Sequence, residues 1–336
     1  MIPWLVAAGI SFVVSLSVGP FAVARLRRRG TLDYPTARSS HSVPTPRGGG
    51  LLVAAGVTAG AGSLALIRMA WVAPVVGGAG TYALLGLAED MWGIPVRFRL
   101  ALQIVLAAGS TSWLLSDGAF SSPIWAALAV IASMAWMVGY VNAFNFMDGI
   151  NGMSVGQAVV AGGAWTLIGS LHHDPMLVDL AALMVGSAIG FAPFNVPVAS
   201  CFLGDVGSYG LGALIAGGAV VGVLAGFPPE AVFASLMVYL ADTSSTILSR
   251  FRRGEVWYHP HRSHVYQRLV QAGWSHASTS AFVAGVMTVC SALGLVALGE
   301  SVPARVIADL AILGVLGLYL ASPKLARPVG GNPVPN

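Results

Sequence analysis

The chain has 336 residues, of which 56% are hydrophobic and only 9% charged, with a formal net charge of +4 and a mean hydropathy of +0.78. A soluble domain would carry roughly 25% charged residues, so the composition excludes one. Two cysteines, Cys201 and Cys290, do not suggest a disulfide framework. The sequence predicts an all-α polytopic membrane protein.

Apolar runs long enough to cross a bilayer, about 20 residues each, recur along the chain and predict ten or eleven helices in one membrane domain over 1–322. The links around 68–71 and 227–229 are so short that each flanking pair of helices must form a tight hairpin. The first run is too long for a signal peptide and its arginines follow it, so we expect a retained helix. A disordered cytoplasmic tail is predicted over 323–336. The expected spans are 2–24, 49–67, 70–87, 100–116, 123–140, 154–171, 176–192, 209–226, 228–248, 279–298 and 304–321.

Basic residues indicate the orientation, because membrane proteins retain Lys and Arg on the cytoplasmic side. Of the 17 Lys and Arg residues, all but Arg68 and Arg305 lie in the loops after odd-numbered spans or in the tail. We therefore expect the N-terminus outside, and the odd loops and the C-terminus in the cytoplasm. The same five loops hold nearly every unusual polar residue, at 32–50, 88–100, 142–154, 202–212 and 250–269.

Two acidic residues, Glu89 and Asp90, end the third expected span. A helix C-terminus disfavours carboxylates, and acids at membrane depth are costly and usually functional. Their charge must be compensated by a metal or by the nearby Arg97 and Arg99. Interfacial helix capping is the alternative.

Asn142, Asn145 and Asp148 are spaced three residues apart, and on a helix this spacing lets their side chains converge on one ligand. The glycines that follow would permit close backbone approach. Stretches rich in Asn and Gly also form simple turns. However, this segment holds no basic residue to neutralise Asp148, which favours a functional role.

Asp205 lies in a Gly-Asp-Val-Gly-Ser segment just before the eighth expected span. A carboxylate there could hold Mg²⁺, which takes one or two carboxylates together with substrate phosphates and waters. The alternative is a simple helix cap.

The fifth loop brings His259, His261 and His264 together with Arg262 and Arg268. A zinc site would need a further ligand at suitable spacing, so phosphate contact by His and Arg fits better. A basic loop retained only for topology is the alternative.

Two further features concern the first loop and the ninth span. Arg47 precedes a triple glycine, 48–50, whose backbone N–H groups could bind a phosphate. Asp242, near the cytoplasmic end of the ninth span, could pair with Arg250 or orient the site.

Taken in order, these five segments resemble the polyprenyl-phosphate N-acetylhexosamine-1-phosphate transferases, the WecA/MraY-type glycosyltransferase family 4. The similarity runs from about Asp33 to Arg268, and the order of the motifs is specific although each alone is not. The His-Arg-Ser-His motif at 261–264 resembles that of the family branch that initiates O-antigen-type polysaccharides. Glu89 replaces the first of the family's paired aspartates, and Asn151 stands where many relatives have an acid. The matching segments are Asp33 to Gly50, Glu89–Asp90, Asn142 to Gly152, Gly204 to Ser208 and His261 to His264.

The resemblance implies that the phosphate of undecaprenyl phosphate attacks the β-phosphorus of a UDP-N-acetylhexosamine and releases UMP, with Mg²⁺ or Mn²⁺ as cofactor. The expected setting is the bacterial inner membrane and the product starts a cell-surface polysaccharide such as lipopolysaccharide. Membrane lipids are expected partners, nucleic acid is not, and a homodimer is left open.

The resemblance also implies residue roles. Asp205 is expected to bind the metal, with Asp90 near it as the second candidate ligand. Asp148 would position the diphosphate or deprotonate the lipid phosphate, and Glu89 and Asp90 complete the catalytic set. The lipid chain is expected in an apolar groove near Glu89. Substrate contacts are expected from Arg47, Asn142, Asn145, Asn151, His261, Arg262 and His264.

Three other functions would also fit a polytopic membrane protein with buried acids. A transporter or flippase would place its acids at the centres of spans and would show related halves, whereas these acids lie at span ends and no repeat is visible. A CDP-alcohol phosphatidyltransferase would need four aspartates in one segment. An inactive or regulatory relative is made conceivable by Glu89 and Asn151.

Overall fold

The computed structural model describes residues 3–35, 43–116, 122–255, 262–299 and 301–326, with the side chains of 66–71 left out. In this part the chain is almost entirely helical, apart from a short hairpin of β1 (Leu32–Asp33) and β2 (Thr45–Pro46). Two 3₁₀ turns, Ala234–Leu236 and Leu295–Gly299, adjoin the helices. The helices are α1 (Pro3–Arg29), α2 (Gly50–Trp92), α3 (Val96–Leu114), α4 (Pro123–Met147), α5 (Met153–Leu171), α6 (Pro175–Asn195), α7 (Gly204–Leu224), α8 (Pro229–Phe233), α9 (Met237–Arg252), α10 (Val265–Gln271), α11 (His276–Gly294) and α12 (Val302–Leu325).

Proline and capping residues start several of these helices. Proline stands in the first turn of α4, α6 and α12, where its missing N–H has no helical partner to lose. Asp174 caps α6 by accepting a hydrogen bond from the Leu177 N–H at 2.8 Å. These local signals explain why the polar links between apolar runs are short.

The prediction of a polytopic all-α membrane protein is confirmed. Within the described residues, nine helical segments are long and apolar enough to cross a membrane. The other two expected spans coincide with a shorter apolar helical segment, Gly50–Ala65, and with α3, which begins around Arg97 and Arg99. The exact number of crossings stays a prediction.

Helix α2 is continuous from Gly50 to Trp92, yet the chain reverses direction within it. Gly50 and Gly86 both lie against the first turn of α7, although a straight helix would hold them about 54 Å apart at 1.5 Å per residue. The two arms, 50–65 and 72–92, therefore run antiparallel, in line with the hairpin expected around 68–71.

Helix α7 lies at the centre of the bundle, and nearly all of its side chains are buried. A side-chain carbon on Gly50 would overlap the backbone of Gly207, and one on Gly86 would overlap the carbonyl of Asp205. The missing side chains thus let both arms of α2 approach α7 at backbone contact. This close approach brings the end of α2 to the beginning of α7.

Two helix boundaries at the site differ from the sequence expectation. Helix α4 continues to Met147 rather than ending near residue 140, and α7 begins at Gly204 rather than at 209. Polarity alone suggested loops there, but these polar side chains are partnered across helices. As a result, Asn142, Asn145 and Asp205 lie on helical turns.

Candidate active site

Arg47 joins two carboxylates at the start of α7. Its Nε lies 2.7 Å from Asp90 Oδ1, and its Nη2 lies 2.7 Å from Asp205 Oδ2. Burial alone would lower the pKa of Arg47, but the attraction of Asp205 and Asp90 outweighs burial and raises that pKa. The guanidinium therefore stays charged between the two acids.

The backbone next to Arg47 explains its position. The N–H of Phe202 donates to the Pro46 carbonyl at 2.8 Å, and Arg47 forms a parallel β-bridge with Phe202. The segment after β2 is thereby fixed beside the residues that begin α7. This pairing between distant parts of the chain carries no sequence pattern that would predict it.

The triple glycine does not have the role expected of it. The N–H groups of Gly48 and Gly49 donate to the Phe202 carbonyl, and that of Gly50 donates to the Leu203 carbonyl at 2.7 Å. These donors are used within the protein, so the prediction that they bind phosphate is wrong for this conformation. The physical reason for glycine is close packing, since a larger residue at 50 would collide with Gly207.

Asp90 holds the first turn of α7. Its Oδ1 accepts a hydrogen bond from the N–H of Asp205 at 3.1 Å, and its Oδ2 accepts one from the N–H of Val206 at 2.9 Å. The side chain is only 3% exposed. A carboxylate is favoured at this position because a helix N-terminus carries partial positive charge and unpaired N–H groups.

Asp205 is the more accessible of the two acids, at 13% side-chain exposure. Its Oδ1 accepts a hydrogen bond from Asn145 Nδ2 at 2.8 Å, and the same amide group lies 2.8 Å from Ser208 Oγ. The expected convergence of Asn145 on the acidic centre is thus present in the structure. Four motifs that are distant in the sequence, those of Arg47, Asp90, Asn145 and Asp205, therefore meet at one point.

Asp148 lies in the link between α4 and α5, beside this cluster. Its Oδ1 accepts a hydrogen bond from Ser154 Oγ at 2.6 Å. Desolvation by burial raises the pKa of Asp148 to about 7, although the Ser154 hydrogen bond opposes the rise. A carboxyl group that changes charge near neutral pH is suited to accept and release a proton.

Glu89 turns away from the acidic centre. Its Oε1 pairs with Arg99 Nη1 at 3.0 Å, and its Oε2 accepts a hydrogen bond from the Ile94 N–H at 2.8 Å. These bonds fix the link between α2 and α3. The sequence left open whether a metal or an arginine compensates the negative charge of Glu89, and in the structure Arg99 compensates it.

Asn142 and Asn151 lie in the predicted region but bind protein groups. Asn142 Nδ2 donates to Gln103 Oε1 at 2.7 Å, and Asn151 Nδ2 donates to the Pro197 carbonyl at 3.0 Å. Both side chains are partly exposed. The structure therefore brings Asn145 into the acidic cluster and gives Asn142 and Asn151 contacts of their own.

The fifth loop is described from residue 262 onwards, so His259 and His261 lie outside the described residues. Arg262 is partly exposed. His264 is buried and its Nδ1 lies 2.9 Å from Asp242 Oδ1. Asp242 thus contacts a residue of the fifth loop, and Arg250 pairs with Glu255, its Nε 3.3 Å from Oε2.

The residues present suit a divalent cation bound together with substrate. No group of three or more His, Cys, Asp and Glu side chains in the described ranges could hold a metal alone. Mg²⁺ needs only one or two carboxylates when phosphates and waters complete its shell. The oxygens of both acids have protein partners, but Asp205 fits this requirement better because its side chain is 13% exposed, whereas that of Asp90 is 3% exposed.

Several residues that hold the site residues in place were not predicted from the sequence. Ser154 holds Asp148, Gln103 holds Asn142, and Tyr319 donates to Asp242 Oδ2 at 2.7 Å. Ser154 was detectable, since a hydroxyl six residues after Asp148 falls in the same motif. Gln103 and Tyr319 belong to other spans, and no local pattern marks them.

Comparison with known proteins agrees with this geometry. The model of a family described as glycosyl transferase family 4 matches residues 72–223, which include Asp90, Asn145, Asp148 and Asp205. These are the acids and the amide that gather around the start of α7. The chain therefore carries the elements of this family at its central helix.

Among the similar proteins is a probable undecaprenyl-phosphate N-acetylglucosaminyl 1-phosphate transferase of Bacillus subtilis, 26% identical over 82% of this chain and 80% of the relative. A decaprenyl-phosphate N-acetylglucosaminephosphotransferase of Mycobacterium leprae is 29% identical over 88% of this chain and 82% of the relative. A phospho-N-acetylmuramoyl-pentapeptide-transferase of Leuconostoc citreum is 36% identical over 34% of each chain.

The fold and the acidic cluster thus define a multi-pass membrane protein with a polar site assembled from several helix ends. The chain is similar to polyprenyl-phosphate N-acetylglucosamine-1-phosphate transferases over most of its length, and its residues 72–223 match the model of glycosyl transferase family 4. The resemblance found from the sequence motifs is confirmed.

Proposed function

We propose that this protein transfers an N-acetylhexosamine 1-phosphate from a UDP-sugar to undecaprenyl phosphate and releases UMP. The reaction takes place at the cytoplasmic face of the bacterial inner membrane and starts a lipid-linked cell-surface polysaccharide. The observation that carries the proposal is the meeting of Arg47, Asp90, Asn145 and Asp205 at the start of α7, in a chain similar to such transferases.

The charges of this cluster suit phosphoryl transfer, which depends mainly on positioning and on neutralising negative charge. Asp205 would hold Mg²⁺ or Mn²⁺, and such a cation, when bound, neutralises the phosphates that must approach each other. Asp90 keeps Asp205 in place by fixing the first turn of α7. Arg47 is 39% exposed, so its guanidinium is also within reach of a substrate phosphate.

Asp148 is the residue in this group best suited to handle a proton. Its pKa of about 7 allows it to take a proton from the lipid phosphate, whose second ionisation lies near pH 6 as in other phosphate monoesters. Once protonated, it no longer repels the incoming diphosphate. Asn145, held between Asp205 and Ser208, would help to orient the same groups.

An apolar groove beside the cluster suits the lipid. It lies between the two arms of α2 and α7, begins at Gly50 and Gly207, and is lined further along by Val57, Val76 and Leu214. Its first residues adjoin Asp205, so an isoprenoid chain in the groove would leave its phosphate at the acidic centre. The groove thus extends along α7, and Glu89, near which it was expected, is not among its lining residues.

The proposal is tested by UMP release from purified protein in detergent, with undecaprenyl phosphate, a panel of UDP-N-acetylhexosamines, and Mg²⁺ or EDTA. We expect release that requires both lipid and metal. Asp205→Asn should lower the rate by about 100-fold or more, the usual cost of losing a charge-stabilising group in a transition state.

The matched control is Asp174→Asn, the same substitution at a helix cap where asparagine caps equally well. It should leave the rate unchanged. An active Asp205→Asn enzyme would remove the metal assignment. Folded wild-type protein that releases no UMP with any donor would favour an inactive or regulatory relative, with Glu89 and Asn151 the first positions to change to Asp.

A further inference from the structure

A second buried acid, Asp242 of α9, is fully enclosed and saturated with hydrogen bonds. Its Oδ1 lies 2.9 Å from His264 Nδ1, and both of its oxygens accept from the Val265 N–H at 3.1 Å. Its Oδ2 also accepts from the Tyr319 hydroxyl at 2.7 Å. Asp242 and Tyr319 are 0% and 1% exposed. Such an acid is stable only because each lone pair has a donor.

The contact with Asp242 determines where His264 carries its proton. An ionised carboxylate only accepts hydrogen bonds, so the ring nitrogen that faces it must be protonated. Nδ1 therefore bears hydrogen in both the neutral and the cationic ring. The hydrogen bond at Nδ1 thus selects the tautomer of the neutral ring in which Nε2 is the acceptor.

The same loop is anchored beside Asp148. The Tyr266 hydroxyl donates to the Phe146 carbonyl at 3.0 Å. The His264 ring stacks on the ring of Tyr266, with centroids 5.8 Å apart, and lies 6.2 Å from the ring of Phe146. A side chain at Gly149 would collide with the Tyr266 hydroxyl. His264 is thus held next to the end of α4, where Asp148 begins the link to α5.

We propose that Tyr319 and Asp242 are positioning residues that hold His264 with Nδ1 protonated, so that Nε2 meets the diphosphate of the sugar nucleotide. The inference rests on the proposed transferase function. Tyr319 of α12 orients the carboxylate, the carboxylate orients the imidazole, and Tyr266 supports the ring from one face. When the diphosphate binds, a proton on Nε2 makes the ring a second donor, and the charge of Asp242 balances it.

A purely structural role would use the same carboxylate as a cap for α10. Asp242→Asn separates the two roles, because an amide oxygen still accepts from Val265, whereas the amide NH₂ can donate to His264 Nδ1 and admit the other tautomer. Tyr319→Phe removes one donor to Asp242 and keeps the ring. The control for it is Tyr140→Phe, since the Tyr140 hydroxyl is buried without a hydrogen-bond partner in the described residues.

The experiment combines ¹⁵N NMR of histidine-labelled protein with steady-state kinetics. His264→Gln identifies the resonances. In wild-type protein we expect a protonated Nδ1, and in Asp242→Asn a shift towards the Nε2–H tautomer. Addition of UDP should move the Nε2 resonance of wild type.

Kinetically, Asp242→Asn should lower kcat/KM for the UDP-sugar by about 10- to 100-fold, the usual cost of losing a group that orients a histidine. Tyr319→Phe should lower it about three- to ten-fold, and Tyr140→Phe should leave it unchanged. The KM for undecaprenyl phosphate should stay constant in all three variants.

An unchanged tautomer in Asp242→Asn overturns the proposal. So does an equal loss of kcat/KM for both substrates together with a lower melting temperature, which identifies a structural cap only. The tautomer measurement needs no turnover. If wild-type protein shows the Nδ1–H tautomer but releases no UMP, the transferase proposal fails while the positioning of His264 stands.

Discussion

The pH dependence of the reaction should be governed by Asp148, and Ser154 is the residue through which it can be changed. The pKa of Asp148 is raised to about 7 by burial, against the opposing hydrogen bond from Ser154 Oγ at 2.6 Å. A carboxyl with a raised pKa is protonated below that value and ionised above it. If the ionised form is the active one, wild-type activity rises with pH through about 7.

Ser154→Ala should move this rise to higher pH. A hydrogen bond to a charged group contributes about 1.5–3 kcal/mol, and part of it persists when the carboxyl is protonated. We therefore expect a difference of about 1.4 kcal/mol between the two states, which is about one pKa unit. At pH 7 the ionised fraction would fall from about one half to about one tenth, so activity would fall about five-fold.

The assay is initial UMP release from pH 5.5 to 9.5 at saturating substrates. Activity of Ser154→Ala should approach that of wild type at the alkaline end. Ser187→Ala is the control, because this buried hydroxyl donates to the Met184 carbonyl of its own helix, at 3.1 Å. A profile for Ser154→Ala that is lowered equally at every pH would refute the assignment of the titration to Asp148.

Further outcomes follow from the packing and charge of the site. Arg47→Gln leaves the two facing carboxylates without their shared cation, so the melting temperature in EDTA should fall, and Mg²⁺ should restore more stability than in wild type; equal Mg²⁺ shifts would contradict a cation site at Asp205. Gly50→Ala should reduce the free energy of unfolding by about 1–3 kcal/mol through overpacking against Gly207. Gly62→Ala, which meets no atom within 4 Å, should be neutral or stabilising, and similar losses in both variants would argue against backbone contact.

A substantial part of this protein could be predicted from sequence because the bilayer imposes strong rules. Long apolar runs predict helices, since every backbone group in lipid must be paired within its own segment. Polar residues gathered at the ends of such runs indicate a site, because their burial is costly without a purpose. Asp90, Asn145, Asp148 and Asp205 were identified in this way, and so was the resemblance to a known family, because the motifs that carry it are local and ordered.

Side-chain partners could not be predicted in the same way. Sequence placed Glu89 with the catalytic acids, but its contacts are with Arg99 and Ile94 across the α2–α3 link. The sequence also suggested that the N–H groups of the triple glycine bind phosphate, but these groups donate to the backbone carbonyls of Phe202 and Leu203. In both cases the partner depends on how two helix ends are oriented relative to each other. Residue spacing along the chain does not predict that orientation.

The sequence by itself determined the class of protein, the candidate site residues and the family resemblance, because hydrophobic runs and local motifs are each contained within short stretches of the chain. The tertiary structure alone decided that Arg47 bridges Asp90 and Asp205, that Ser154 holds Asp148, and that Tyr319 supports His264 through Asp242. These contacts mostly join residues far apart in the chain. They form because backbone contact between α2 and α7, and the docking of the fifth loop on α4, bring these buried charges to the partners that satisfy their hydrogen bonds.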